Sequence, residues 1–76
     1  MGNTRIQKLA AKCVKDAQAT LGHGWDHVSE DIRFGLVSAN IIAICIEQDD
    51  EHVSDASVRR LLNELNAECR HLIYGE

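Results

Sequence analysis

Three cysteines, Cys13, Cys45 and Cys69, are the residues with the most reactive chemistry to offer in this chain. A thiolate serves as a nucleophile or metal ligand only with partial exposure and a neighbouring base or cation. These three are odd in number, widely spaced and form no CxxC pair. Each falls on the apolar face of a helical pattern. Cys45 sits inside the most apolar run, a setting that raises a thiol's pKa. The expectation is three reduced thiols used as small hydrophobes, in keeping with a cytoplasmic protein in a reducing compartment.

Metal chemistry would draw on the histidines. His23 and His27 are four apart, a spacing that lets two histidines share a metal on a helix. Here Gly24, Trp25 and Asp26 stand between them in a glycine-bounded turn. His27 with Glu30, and Glu68 with His71, lie three apart, as in carboxylate-bridged di-metal bundles, but such sites need two further inward glutamates from other helices. The midsections of the first two helices supply none, so no metal and no cofactor is expected. Ser54 and Ser57 are accounted for by a helix start. Gly22-His23-Gly24 lacks the length and the preceding strand of a phosphate loop. A chain of 76 residues also has little room for a substrate pocket. Catalysis is not expected.

Binding chemistry is better represented. Arg5, Lys8, Lys12 and Lys15 fall within roughly 80° of arc on one helix, opposite its apolar face. Residues 1–24 carry four basic side chains and one acidic, +3, against four and eleven in residues 25–76, −7, which together give the net −4. Such asymmetry suits phosphates, an acidic partner or a solvated face. No aromatic stacking platform accompanies it, and the chain as a whole is acidic, which disfavours general nucleic-acid binding. Trp25, the single tryptophan, reads either as a cap closing one end of a bundle or as an anchor for a partner. Tyr74 is open to the same two readings.

The elements that would position these groups are helices. A hydrophobic content of 45% with 26% charged residues is that of a folded domain. Proline is absent, so long helices meet few breaks. The longest charge-free stretch, residues 34–46, is shorter than the about 20 residues that cross a bilayer, and no secretory leader pattern opens the chain. Ile6, Leu9, Ala10, Cys13, Ala17 and Leu21 predict a first helix over about 4–21, stopped by Gly22. The second is predicted over about 27–48, capped by Asp26 or Ser29. Its β-branched run at residues 41–46 also reads as a buried strand, but nothing else in the chain offers a strand to pair with it. Gly35 is expected to mark a close helix–helix approach. After an acidic turn at residues 49–52, Ser54 opens a third helix to about 73, with Val53 and Val58 as a hydrophobic staple. Val58, Leu62, Leu65, Cys69 and Leu72 form its seam, widened by Leu61 and Ile73.

The second helix is apolar almost all the way round. Val28, Ile32, Leu36, Ala39, Ala43 and Ile46 share one side, and Phe34, Val37, Ile41, Ile44 and Cys45 fill the flanks. Arg33, Asn40 and Glu47 form a polar ridge, where substitution of Asn40 is expected to matter little. Two neighbouring helices cover only part of such a rod. The expected architecture is therefore an all-α, three-helix antiparallel unit over residues 1–76, completed by homodimerisation about a two-fold axis. Ile32, Leu36, Val37, Ile41 and Ile44 are the expected interface. The function expected from this is a small non-enzymatic protein-interaction module: an adaptor, inhibitor or accessory regulator. The alternative is a DNA-associated regulator using the basic stripe.

Overall fold

Spacings of three and four wind each apolar segment into a helix in the computed structural model, which describes residues 4–50 and 54–75, with backbone alone at 49 and 50. The helices are α1 (Thr4–Leu21), α2 (Glu30–Asp50) and α3 (Asp55–Tyr74), and each packs against the other two. The run at residues 41–46 is helical, and no strand occurs among the described residues.

The α1–α2 connection differs from expectation. Gly22–His27 forms a 3-10 helix, and Val28 is extended at φ −110° and ψ 158°, so α2 begins at Glu30 and not at His27. The cause is the cap. Ser29 Oγ accepts the Ile32 N–H at 3.3 Å, and the Ser29 carbonyl accepts the Arg33 N–H at 3.1 Å. A capping residue keeps non-helical backbone while its side chain takes a free amide. Glu30 and Asp31 fill the first turn, where negative charge suits the helix dipole. Gly22 turns the chain out of α1 at φ +57°, a conformation that side chains with a Cβ resist.

At its other end α2 runs through Asp49 and Asp50, which leaves the expected acidic turn shorter. Glu51, His52 and the Val53 half of the staple lie outside the described residues. Ser54 caps α3 as expected, its Oγ accepting the Ser57 N–H at 3.3 Å. Gly75 closes α3 at φ +73°, donating its N–H to the His71 carbonyl at 2.9 Å.

The core takes Ile6, Ala10, Cys13 and Ala17 from α1, Val37, Ile41 and Cys45 from α2, and Leu61, Leu65 and Cys69 from α3. Small residues dominate the α1 contribution, which brings helix axes together and lets the bulkier α2 and α3 side chains fill the centre. Directional bonds join every pair of helices. Asn40 Nδ2 donates to the Cys13 carbonyl at 3.0 Å, Cys69 Sγ lies 3.8 Å from the Ala10 carbonyl, and Tyr74 Oη donates to Asp31 Oδ1 at 2.6 Å.

Three expectations are corrected here. Asn40 is half-buried and bonded to α1, so the polar ridge is not a solvent face along its whole length. Gly35 marks no close approach: a Cβ built on it meets nothing within 4 Å. Leu72 is 47% exposed, because the buried line of α3 runs through Leu61, Leu65 and Cys69 and leaves Leu72 to one side.

These placements set the stability of two variants. Gly35→Ala adds helix propensity in open space and stabilises by about 1 kcal/mol. Asn40→Ala removes an interhelical hydrogen bond and costs about 1 kcal/mol. In a domain of this size each moves the thermal midpoint by about 4–8 °C, in opposite directions. Circular-dichroism melts that show the reverse order would overturn the facing of α2.

Candidate interaction surface

The outward face of α2 is where the structure leaves apolar surface uncovered. Ile32 is 52% exposed, Ile42 53% and Ile46 57%. Gly35, Ala39 and Ala43 lie exposed between them, with Leu36 half-buried at the edge. Ile32, Gly35, Ala39, Ile42 and Ile46 are spaced three and four apart, so they form one stripe along the helix. Toward α3 the stripe continues into a shallow groove of about 270 Å³ lined by Ile42, Cys45, Ile46, Val58 and Leu62.

This placement divides the expected interface residues. Ile32 faces outward, and Leu36 and Ile44 are half-buried. Val37 and Ile41 are completely enclosed by the chain's own helices, which removes them from any surface. The reason is bulk. The side bearing Phe34, Val37, Ile41 and Cys45 fills the space between α1 and α3, whereas the side bearing Gly35, Ala39 and Ala43 would leave it under-packed. Ile42 and Ile46, which the expected interface did not include, lie exposed in this stripe. The available signal was the glycine and two alanines that share a side with Ile32 and Ile46.

Trp25 is half-buried in the 3-10 helix and packs against the core. Its carbonyl accepts Arg33 Nε at 2.7 Å, and the Arg33 guanidinium lies 5.2 Å from its ring. That geometry is a cap on the bundle end. Tyr74 closes the same end: its ring is 5.8 Å from Phe34, and the Arg70 guanidinium lies 5.4 Å from Tyr74 and 5.7 Å from Phe34. The Asp31 hydrogen bond holds the Tyr74 hydroxyl pKa above its ordinary value, because it favours the protonated phenol.

The basic stripe is exposed along α1 at Arg5, Lys8, Lys12 and Lys15. Arg5 lies beside Arg60 and Glu64 of α3 in a shallow surface depression. Lys12 borders another between α1 and α2, with Asp16, Asn40 and Glu47. His23 and His27 are exposed on the 3-10 helix. Among the described residues no three His, Cys, Asp or Glu side chains come together as a metal site, and no helix is long and apolar enough to cross a membrane.

No family model, curated protein or solved structure matches this chain.

All three cysteines are buried and unbridged. Burial is the leading cause that raises each thiol above its ordinary 9.0, with Asp16 adding to Cys13, and with Cys13 and Glu68 adding to Cys69, which is pushed up to about 12. Raised values in the fold mean that this contribution to stability is whole below about pH 9 and is lost as pH rises through the folded values, the last of it, from Cys69, toward about 12. Two measurements check it. A disulfide-exchange reagent at pH 8 should find no reactive thiol until urea unfolds the chain, and melting temperature should fall progressively above pH 9. Prompt reaction of native Cys69 would contradict the burial.

Proposed function

We propose that this chain is a small, non-enzymatic protein-interaction module, an adaptor, inhibitor or accessory regulator, that works as a helical homodimer in the reducing cytoplasm. The supporting observation is the uncovered stripe of α2, whose three isoleucines are each more than half exposed. Contiguous apolar surface of this kind on a small domain marks a place where another macromolecule docks. Buried, high-pKa thiols are compatible with a reducing compartment and with a role free of covalent chemistry.

The test uses neighbouring isoleucines. Ile41→Asp buries a charge in the core and unfolds the chain, since an unpaired buried carboxylate costs several kcal/mol against a total stability of about 4–11 kcal/mol at this length. Ile42→Asp and Ile46→Asp keep the helical circular dichroism and abolish association measured by light scattering and native pull-down. A wild-type chain that stays monomeric at every concentration, with surface variants indistinguishable from it in pull-down, would sink the proposal.

A second reading is a DNA-associated regulator, favoured by the exposure of Arg5, Lys8, Lys12 and Lys15 together on α1. Four cations meeting four phosphates would lose affinity on the order of 100-fold between 50 and 200 mM salt. Gel shifts on duplex DNA should show that slope, and a Lys8→Glu, Lys12→Glu double variant should show no shift. Absence of a shift by the wild-type chain at low salt ends this reading.

A further inference from the structure

We infer that the depression between the start of α1 and the start of α3 holds one phosphodiester of bound DNA and anchors the basic stripe on the strand. This deepens the DNA-associated reading above and rests on it. The observation is that the stripe does not end on α1. Arg5, its first member, shares a depression of about 270 Å³ with Arg60 and Ser57 of α3. Two guanidiniums carried by different helices thus border the same space as one hydroxyl. Like charges that share a space repel, and an anion placed between them turns that repulsion into attraction.

The chemistry of the depression suits a phosphodiester. Each guanidinium offers a planar fork of N–H donors that matches paired phosphate oxygens. Ser57 Oγ accepts the Ser54 hydroxyl at 2.9 Å, which leaves its own O–H to donate to an anion. Ile6 and Leu61, both buried, line the depression as well, and apolar walls concentrate the field of neighbouring charges. Glu64 also lines it, so two cations and one carboxylate leave a net +1. A phosphodiester carries one negative charge and balances it. A phosphomonoester, with nearly two at neutral pH, is less well matched. Among the described residues neither Arg60 nor Glu64 takes part in an ion pair, so Arg60 is not already neutralised.

From this clasp the stripe continues through Lys8, Lys12 and Lys15, all exposed. Arg5 and Lys15 are about 15 Å apart along α1, and one strand of a duplex carries a phosphate about every 3.4 Å of its axis. About four phosphates therefore lie within reach of the row. Four cations on one helix could slide along such a strand. A grip from two helices fixes position and direction, which is how phosphate contacts set a protein's register on DNA.

Adjacent arginines supply the test. Arg59 and Arg60 carry the same charge and are both exposed, but they leave α3 about 100° apart, and only Arg60 lines the depression. Arg59→Gln and Arg60→Gln are compared with the wild type by fluorescence anisotropy on a short labelled duplex, from about 50 to 200 mM salt. Helical circular dichroism and urea midpoints serve as fold controls. Arg60→Gln should weaken binding about tenfold at the lowest salt and reduce the salt slope by about 1. Arg59→Gln should match the wild type in both. Equal losses in the two variants would mean diffuse charge attraction and overturn the inference, as would an Arg60→Gln chain that binds like the wild type; either result leaves the DNA-associated reading standing. A wild-type chain that does not bind the duplex at the lowest salt ends both.

Discussion

Two neighbours can hide only the arc of a helix that faces them, and α2 carries more apolar surface than that arc holds. Bulk decides which part is hidden. Phe34, Val37, Ile41 and Cys45 face the space between α1 and α3, where Ile41 and Val37 are wholly enclosed. The lighter side, with Gly35, Ala39 and Ala43 among its isoleucines, is left outside. Filling the centre to native density requires this choice, since a core of glycine and alanine from α2 facing the alanines of α1 would leave voids. The remaining features of the fold follow from that rotation. Arg33 and Asn40 come to the margin of the buried arc, where each reaches a backbone carbonyl, Trp25 and Cys13 respectively.

The three aromatic residues gather at one end of the molecule. Trp25 precedes α2, Phe34 lies near its start, and Tyr74 returns from the end of α3 to meet Asp31. Arg33 and Arg70 lie over these rings, and such contacts are worth about 0.5–1 kcal/mol each at exposed sites. Toward the opposite end, Ile42, Cys45, Ile46, Val58 and Leu62 line the groove, with no aromatic residue among them. One end is thus closed by ring and guanidinium contacts, and the other presents the apolar groove.

Much of the architecture was legible in the residues. The spacing of Ile6, Ala10, Cys13 and Ala17 gave α1 and its buried face, and Ser54 and Gly75 bracket α3 with cap chemistry that reads directly. The α2 start was misplaced by three residues because Asp26 and Ser29 are equally good caps by type, and only the 3-10 path of Gly22–His27 selects Ser29. The phase of α2 was the harder problem. A rod apolar on most sides carries little periodic signal, so the heptad-spaced Arg33, Asn40 and Glu47 read as a polar ridge on which Asn40 matters little. A mid-helix asparagine that bonds a neighbouring helix looks the same in sequence as one that bonds water. Side-chain volume, which periodicity ignores, separates the two faces.

Apolar faces are forgiving of sliding: a helix moved along its neighbour by a fraction of a turn keeps most of its hydrophobic burial. Directional bonds are not forgiving, since they fade within a few tenths of an ångström and a few tens of degrees. With Asn40 fastened to the Cys13 carbonyl, Tyr74 to Asp31, and Cys69 beside the Ala10 carbonyl, every helix is indexed lengthwise against both others. Three greasy cylinders that could drift through many near-equivalent alignments are thereby held in a single one. Any shape presented on the exterior of the trio inherits that fixed alignment.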